Sequence, residues 1–199
     1  MENKPPIIGV TGGIGSGKST VCKILESLGA ITYYADDRAK WLMVNNQDLV
    51  DSVKNLFGKE AYTDAGLDRK FIAQKAFKDD SLLNKLNQLV HPAVADDLKS
   101  WIQTNLKAPL LLKEAALLFE TGSYKSLDRT ILVTAPDEIR IERVVKRDAH
   151  RSREDVKSII AKQMSDKEKL SLADYVVVND GKTSLIQQVM KLYPRLVIT

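Results

Sequence analysis

Nine consecutive residues near the start of the chain constrain its fold most strongly: Gly12-Gly13-Ile14-Gly15-Ser16-Gly17-Lys18-Ser19-Thr20. The run fits the pattern G-x-x-x-x-G-K-[S/T], in which backbone N–H groups surround the phosphates of a nucleotide. Glycine suits such a loop because it adopts backbone angles that other residues avoid and leaves room for a phosphate. The lysine can reach the β- and γ-phosphates, and the serine hydroxyl can bind Mg²⁺. The run predicts a nucleotide-binding site.

The segments on both sides of this loop support the same interpretation. Ile7–Val10 precedes the loop and is typical of a short buried strand, because it is apolar and rich in β-branched residues. Apolar residues follow the loop at helical spacing, and Gly29 can end that helix. The amino end of the helix then points its unpaired N–H groups at the phosphates. A plain glycine-rich turn is the alternative, but it leaves Lys18 and Ser19 unexplained.

Length and composition are typical of a globular protein. The chain has 199 residues, of which 44% are hydrophobic, enough for one domain with a substantial core. Apolar stretches fall short of a membrane span, and the amino end lacks the apolar region of a secretory signal. The single cysteine, Cys22, excludes an intrachain disulfide and suits a reducing compartment. We therefore expect a cytoplasmic protein that has no membrane partner.

Basic residues are in slight excess, with a formal net charge of +4. This charge is compatible with nucleic acid, and equally with a substrate that carries several phosphates. Proteins that bind single strands commonly stack bases on aromatic rings. Since no aromatic residue interrupts the most basic segment, we expect no nucleic-acid partner. The basic residues of that segment are Arg140, Arg143, Lys146, Arg147, Arg151 and Arg153.

Five short apolar runs are predicted as strands, and helical patterns separate them. The alternation is typical of a parallel sheet covered by helices on both faces. The expected fold is therefore α/β, a three-layer P-loop NTPase fold with a five-stranded parallel sheet, a helical insertion and a lid. The predicted strands are Ile7–Thr11, Ile31–Tyr34, Leu110–Lys113, Thr130–Thr134 and Tyr175–Val178.

A long stretch without a convincing strand separates the second and third predicted strands. One amphipathic helix there is predicted to end at Gly58, a second to cover Leu82–Val90, and Pro92 to begin a third. We interpret this stretch as a lobe that binds the acceptor substrate; helices that serve only stability are the alternative. The predicted divisions of the single domain, residues 1–199, are a nucleotide-binding core of 1–44 and 108–199, an acceptor-binding insertion of 45–107 and a lid of 143–165.

Polar residues follow several of the predicted strands, at the edge where ligands bind in an open α/β sheet. Asp36 follows the second strand, Glu114 the third and Asn179 the fifth. Two carboxylates facing a magnesium nucleotide suit phosphoryl transfer to a hydroxyl, because one can take the proton and the other can hold the metal. Asp36 as a helix cap and Glu114 paired with Lys113 at the surface are the alternatives.

The arginine-rich segment is predicted to form a lid. Arg140, Arg143 and Arg147 are spaced at i, i+3 and i+7, so they share one face of a helix. A polar stretch follows before Glu154 begins another helical segment. Two helices around a basic loop are typical of a lid that closes over a triphosphate, where arginines stabilise the charge of the transition state. A solvated basic surface is the alternative.

The ordered set of motifs resembles the dephospho-CoA kinase family over nearly the whole chain. The phosphate loop alone is shared by many NTPases, whereas the set in this order is specific. The matching segments are Val10–Thr20, Ala35-Asp36 to Lys40 (D-A-D-x-I-A-R), Leu67-Asp68-Arg69 (G-x-L-D-R), His91-Pro92, Leu117–Glu120 (P-L-L-F-E), Arg143 with Arg147 (R-x-x-x-R), and Ala173-Asp174 with Asn179 (A-D-x-x-x-x-N).

The resemblance implies transfer of a phosphoryl group from ATP, with Mg²⁺, to the ribose 3′-hydroxyl of dephospho-CoA, which gives ADP and coenzyme A. It gives Asp36 the general-base position. The predicted catalytic residues are Asp36, Lys18, Arg143 and Arg147. The predicted ATP contacts are Gly13, Ile14, Gly15, Ser16, Gly17, Lys18, Ser19, Thr20 and Asn179. The predicted acceptor contacts are Asp68, Arg69, His91 and Glu120. The predicted magnesium ligands are Ser19 and either Asp36 or Glu114.

This chain departs from the family pattern at three places. Tyr34 replaces the first Asp of the D-A-D block, Glu114 and Ala116 stand where Asp and Pro are usual, and Arg140 occupies a common Gln position. A Glu carries its oxygens one methylene further out than an Asp, so the identity of the second carboxylate stays open. No departure affects the phosphate loop or the general-base position.

Three other functions compete with this one. A regulatory GTPase would need N-K-x-D, and the nearest run, Asn84-Lys85-Leu86-Asn87, lacks the acid. A nucleic-acid-dependent ATPase is supported only by basic charge. A nucleoside monophosphate kinase is not excluded by spacing or patterning, because the acceptor pocket cannot be deduced from them. We expect a monomer or a small homo-oligomer.

Overall fold

The computed structural model describes residues 4–64 and 66–197, apart from the side chains of residues 77, 78 and 80. The predicted single domain of residues 1–199 therefore includes a few positions outside the described residues, namely 1–3, 65, 198 and 199. The strands of the described residues are β1 (Ile7–Thr11), β2 (Ile31–Tyr34), β3 (Tyr62–Thr63), β4 (Gly66–Leu67), β5 (Leu111–Glu114), β6 (Arg129–Thr134) and β7 (Tyr175–Val178). The helices are α1 (Lys18–Ser27), α2 (Ala35–Asn45), α3 (Gln47–Phe57), α4 (Arg69–Lys78), α5 (Asp80–Thr104), α6 (Asp137–Arg147), α7 (Arg153–Lys162), α8 (Asp166–Leu170) and α9 (Leu185–Val197).

The chain divides into two compact units. The first contains the residues up to Tyr34 and those from Asn105 onwards, and the second is Ala35–Thr104. The insertion was expected to begin at residue 45, whereas the second unit already includes α2. The reason is that Leu42 of α2 is buried in the apolar core of that unit.

The first unit is built on a five-stranded parallel sheet with the strand order β2-β5-β1-β6-β7. All five predicted strands are confirmed, although β5 is shifted by one residue so that Glu114 is its last residue. β1 lies at the centre of the sheet, and all of its residues are buried. The loop after β1 therefore leaves the sheet at the middle of its carboxyl edge, where ligands bind in such folds.

One apolar core lies between this sheet and the helices α1 and α9. It contains Ile8 and Val10 of β1 together with Val21 and Cys22 of α1. The predicted helix after the loop is confirmed, and Gly29 follows its last turn with a φ of 97°, an angle that suits glycine. Because one face of α1 is packed on the sheet, its amino end is fixed beside the loop.

Two further helices, α6 and α7, confirm the helical pattern predicted around the polar part of the arginine-rich segment. They pack together through an apolar cluster that includes Ile141, Val144 and Val156. α7 begins where Ser152 accepts a hydrogen bond from the backbone N–H of Asp155, while the Asp155 carboxylate accepts from the Ser152 N–H. Such a capping box satisfies N–H groups that the first turn leaves unpaired.

The second unit consists of α2–α5 and an antiparallel hairpin of β3 and β4. The hairpin was not predicted, because strands of two residues are too short to show an alternating pattern. The prediction that Pro92 begins a helix is wrong, since Pro92 lies inside α5. A proline there removes a backbone hydrogen bond and costs about 3 kcal/mol. Val90 and Leu98, on either side of it, are buried, so the packing of one continuous helix outweighs this cost. None of the described helices is both long and apolar enough to cross a membrane.

Candidate active site

The phosphate loop joins β1 to α1, and the packing of the protein itself requires its glycines. Gly17 lies directly before α1 with a φ of 99°, a left-handed conformation that disfavours other residues. A Cβ atom on Gly17 would overlap the side-chain amide of Asn179, and one on Gly12 would overlap the Val133 carbonyl. A Cβ atom on Gly13 would overlap the guanidinium of Arg140. The loop is thus in close contact with the elements around it.

Lys18, the first residue of α1, is held against this loop. Its Nζ donates to the Gly12 carbonyl over 3.1 Å and lies 3.7 Å from Oε1 of Glu114. The two side chains are only 11% and 9% exposed. Glu114 therefore faces the loop, and the alternative of a surface pair with Lys113 does not hold, since adjacent strand residues point to opposite faces. Burial lowers the pKa of the Lys113 amine.

Cys22 lies one turn beyond Lys18 and is fully buried. Burial raises the pKa of its thiol, and the nearby carboxylates of Glu114 and Glu26 raise it further. Lys18 offsets part of this effect. Since the thiolate is the nucleophilic form, the buried thiol is disfavoured as a nucleophile, and Cys22 packs in the core between α1 and the sheet.

Asn179 connects the loop to α6. Its Nδ2 donates to the Ser16 carbonyl over 2.7 Å, and its Oδ1 accepts from Nη2 of Arg143 over 3.1 Å. Its backbone N–H donates to the Thr134 carbonyl over 2.7 Å. Nη1 of Arg143 is buried and has no hydrogen-bond partner among the described residues. Two predicted site residues, Asn179 and Arg143, are thus brought to the phosphate loop.

Arg140 also contacts the loop, although its spacing had grouped it with the lid. It is only 4% exposed, and its Nε donates to the Ile14 carbonyl over 3.0 Å. The Ile14 N–H donates to Oε1 of Gln163 over 3.0 Å. Sequence reasoning missed Gln163, because a single glutamine after a helix carries no local signal. The common Gln at the Arg140 position of the family was the available hint that this residue differs from the other arginines.

Arg147 differs from these two arginines in burial and in partner. Its side chain is 64% exposed, and its Nε and Nη2 donate to the two carboxylate oxygens of Asp148 over 2.8 and 2.9 Å. These hydrogen bonds hold the pKa of Asp148 below its usual value and raise the pKa of Arg147. Arg151 also pairs with Asp148, and Arg153 with Glu138. The outer arginines therefore bind neighbouring carboxylates.

The predicted acceptor residues are divided between the two units. In the first unit, Oε1 of Glu120 lies 3.0 Å from Nζ of the fully buried Lys169 and accepts from the Met164 N–H. In the second unit, the Asp68 carboxylate accepts from the Phe71 N–H and so caps α4. Arg69, the first residue of α4, and His91, within α5, are both exposed.

Asp36 lies in the first turn of α2, in the second unit, and is exposed. It is separated from the end of β2 by one residue. Its neighbour Asp37 pairs with Lys40 over 2.6 Å. A carboxylate in the first turn of a helix also interacts favourably with the helix dipole.

Oxygen ligands for a metal ion are few. No group of three or more His, Cys, Asp or Glu side chains that could hold an ion occurs in the described part of the chain. Ser19 is exposed in the first turn of α1, and Glu114 lies beside Lys18. Magnesium commonly takes one or two protein oxygens and completes its shell with phosphate and water. A hydroxyl with a carboxylate therefore suits magnesium that arrives with a nucleotide.

Comparison with known proteins gives consistent similarities. The model of the dephospho-CoA kinase family matches residues 6–184. The dephospho-CoA kinase of Chlorobium luteolum is 41% identical over 204 residues, which cover 97% of this chain and 91% of that protein. A crystal structure from Thermus thermophilus superposes with a TM-score of 0.87 at 36% identity, covering 99% of this chain and 100% of the other. A dephospho-CoA kinase from Campylobacter jejuni gives a TM-score of 0.70 at 26% identity, with 96% of each chain covered.

Proposed function

Because this chain belongs to the dephospho-CoA kinase family, we propose that it transfers the γ-phosphoryl group of ATP to the ribose 3′-hydroxyl of dephospho-CoA. The bond between Pγ and the bridging oxygen breaks, a bond from Pγ to the 3′-oxygen forms, and the hydroxyl proton goes to a base. ADP and coenzyme A are the products. The observation that carries the proposal is the match of the family model to residues 6–184, which span most of both units.

The phosphate loop is proposed to bind the ATP phosphates through its amides and the amino end of α1. Gly13 to Thr20 remain the predicted contacts. The backbone amide of Ile14 is the exception among these contacts, because its N–H already donates to Gln163. Its predicted contact with ATP would have to involve other atoms.

Lys18 and a magnesium ion are proposed to neutralise the β- and γ-phosphates. The position of Lys18 at the loop, held by Gly12 and Glu114, supports its role. Ser19, with Glu114 or Asp36 as a further ligand, would hold the ion. When bound, magnesium would reduce the negative charge on the β- and γ-oxygens.

Arg143 and Arg147 are proposed to stabilise the transferred phosphoryl group. For Arg143, the support is its hydrogen bond to Asn179, which itself donates to the loop. For Arg147, the support is an exposed guanidinium whose present partner, Asp148, is a carboxylate. A phosphate can take the place of a carboxylate, because both accept two parallel hydrogen bonds from arginine.

Asp36 is proposed as the general base. A general base typically contributes about 10²–10⁴-fold to the rate, so Asp36→Asn is expected to lower kcat by that factor with little change in the Kd of ATP. The adjacent Asp37 provides a matched control, since Asp37→Asn removes an exposed carboxylate from the same helical turn. Steady-state kinetics and calorimetric titration with ATP measure both quantities. A loss of less than about tenfold for Asp36→Asn would leave this residue only its favourable interaction with the dipole of α2.

The proposed acceptor is tested by a coupled assay of ADP release. Dephospho-CoA, AMP, CMP and adenosine are compared at equal concentration with ATP and magnesium. Of these four compounds, we expect only dephospho-CoA to support ADP release. Comparable rates with AMP or CMP would indicate a nucleoside monophosphate kinase, and stimulation by RNA or DNA without dephospho-CoA would indicate a nucleic-acid-dependent ATPase.

Several properties remain predictions. Asp68, Arg69, His91 and Glu120 are proposed to contact the acceptor. We also propose that the enzyme acts in the cytoplasm as a monomer or small homo-oligomer, without nucleic acid or membrane.

A further inference from the structure

Ile14, at the tip of the phosphate loop, is fixed by both of its backbone polar groups and by its side chain. Its N–H donates to Oε1 of Gln163 and its carbonyl accepts from Nε of Arg140, each over 3.0 Å. Its side chain packs against the apolar cluster of α6 and α7 that includes Ile141 and Val144. Both backbone polar groups of Ile14 therefore bond to protein side chains.

Arg140 is itself held from several sides. Its Nη1 donates to Asp137 over 3.0 Å and lies 3.7 Å from Asp166, so two carboxylates compensate its buried charge. Its Nη2 lies 3.5 Å from Oε1 of Gln163, at the outer limit for a hydrogen bond. The guanidinium occupies the space that a side chain at Gly13 would need. All three guanidinium nitrogens of Arg140 therefore have partners in the protein.

These contacts connect one residue of the loop, Ile14, directly to α6 and to the end of α7, and through Arg140 to α8. Arg140 belongs to α6, Gln163 directly follows α7, and Asp166 is the first residue of α8. Ile14 is therefore held by a residue of α6 and by the residue that follows α7, the two helices of the predicted lid.

We propose that Arg140 and Gln163 are positioning residues for phosphoryl transfer. Together they fix the Ile14 backbone, which sets the direction of the neighbouring loop amides and links the loop to α6 and α7. The proposal rests on the proposed function, in which those amides bind the ATP phosphates. A displacement of about 1 Å in a catalytic group can cost about 10²-fold in rate, so removal of either side chain should affect turnover.

The test uses the variants Arg140→Met and Gln163→Met and their combination. Arg129→Met and Gln187→Met are matched controls, because both replace exposed side chains of the first unit by the same residue. We expect each test variant to lower kcat by about 10- to 100-fold and to raise KM for ATP, with KM for dephospho-CoA unchanged. The combined variant should lose little more than the worse single variant, because both side chains hold the same residue.

Hydrogen exchange of the Ile14 amide, followed by NMR, supplies a readout that does not depend on turnover. The amide should exchange faster in Gln163→Met than in Gln187→Met, and the Kd of ATP with magnesium should rise. If Arg140→Met does not fold, Gln163→Met carries the test alone against Gln187→Met, since Gln163 holds the Ile14 N–H directly.

Two results would overturn the inference. One is a fall in melting temperature with kcat and KM for ATP equal to those of the controls, which would make both residues purely structural. The other is a loss of kcat in the combined variant that equals the product of the two single losses, which would show that Arg140 and Gln163 act independently. Absence of dephospho-CoA-dependent ADP release in the unmodified enzyme would refute the proposed function instead. Amide exchange and ATP affinity would then still decide the role of Arg140 and Gln163.

Discussion

The two ends of α6 use arginine in opposite ways. Arg140, in the first half of the helix, is 4% exposed and donates to a loop carbonyl and a carboxylate. Arg143, one turn later, reaches the loop through Asn179. Arg147, at the last position of the helix, has a side chain that is 64% exposed and donates to both carboxylate oxygens of Asp148. One helix thus carries a buried arginine that contacts the loop directly, a second that reaches the loop through Asn179, and a third that is exposed.

This comparison shows that a cluster of like residues in a sequence is not one functional unit. The three arginines have the same charge and share a helix face by their spacing. The three arginines differ in burial and therefore in their hydrogen-bond partners. A buried guanidinium must donate to groups of the protein, whereas an exposed one can donate to water. Among the arginines proposed to act on the phosphoryl group, we therefore expect a gradient along α6, with a larger loss of kcat at Arg143, which reaches the loop through Asn179, than at the exposed Arg147.

The largest effect is expected at the loop itself. Lys18→Met should lower kcat by about 10³-fold or more, since it removes the ammonium that neutralises the phosphates. It should also lower the melting temperature, because the buried carboxylate of Glu114 would lose the positive charge of Lys18 beside it. Turnover measured as ADP release and thermal unfolding report the two effects separately.

The combined variant Lys18→Met/Glu114→Gln is the control for this prediction. It also removes the negative charge of Glu114 and should recover most of the melting temperature while kcat stays low. Recovery of the rate together with stability would mean that Lys18 serves only the fold, and near wild-type turnover in Lys18→Met would mean that the phosphate loop is misassigned.

The next effect is expected at Arg143. Arg143→Met should lower kcat by about 10²–10³-fold, the range found when one donor to a transition-state charge is lost. Stability should change little, because Asn179 keeps its hydrogen bond to Ser16. Glu142→Gln, an exposed change on the same helix, is the control. A loss no greater than that of Arg147→Ala would contradict the gradient along α6.

Much of the fold of the first unit could be predicted from the sequence, because its signals are local. The glycine run, the β-branched strands and the apolar spacing of α1 each act within a few residues. The burial of Arg140 could not be predicted, since it depends on Ile14 and Gln163, which are distant in sequence. The continuous path of α5 through Pro92 likewise depends on packing within the second unit.

A smaller effect is expected at Arg147. Arg147→Ala should lower kcat by about tenfold, which corresponds to about 1.4 kcal/mol of transition-state stabilisation. The melting temperature should not change, because the side chain is exposed and its partner is the next residue. Kinetics and thermal unfolding of the same preparation test this. A fall in melting temperature while the folded fraction keeps its full rate would assign Arg147 to the structure.

The smallest effect is expected at Asp148, the partner of Arg147. The hydrogen bonds from Arg147 hold the pKa of the Asp148 carboxyl below its usual value, so the fold favours the carboxylate. The pair is therefore complete above the usual pKa of Asp and is lost only as the pH falls through the lowered one. Between about pH 6 and about pH 9 it should contribute no pH dependence. Asp148→Asn should lower the melting temperature only slightly, because the pair with Arg147 is exposed, and should alter kcat less than Arg147→Ala does. A large loss of activity would show that Asp148 positions Arg147 for the reaction, and the outer end of α6 would then be as strictly organised as the inner one.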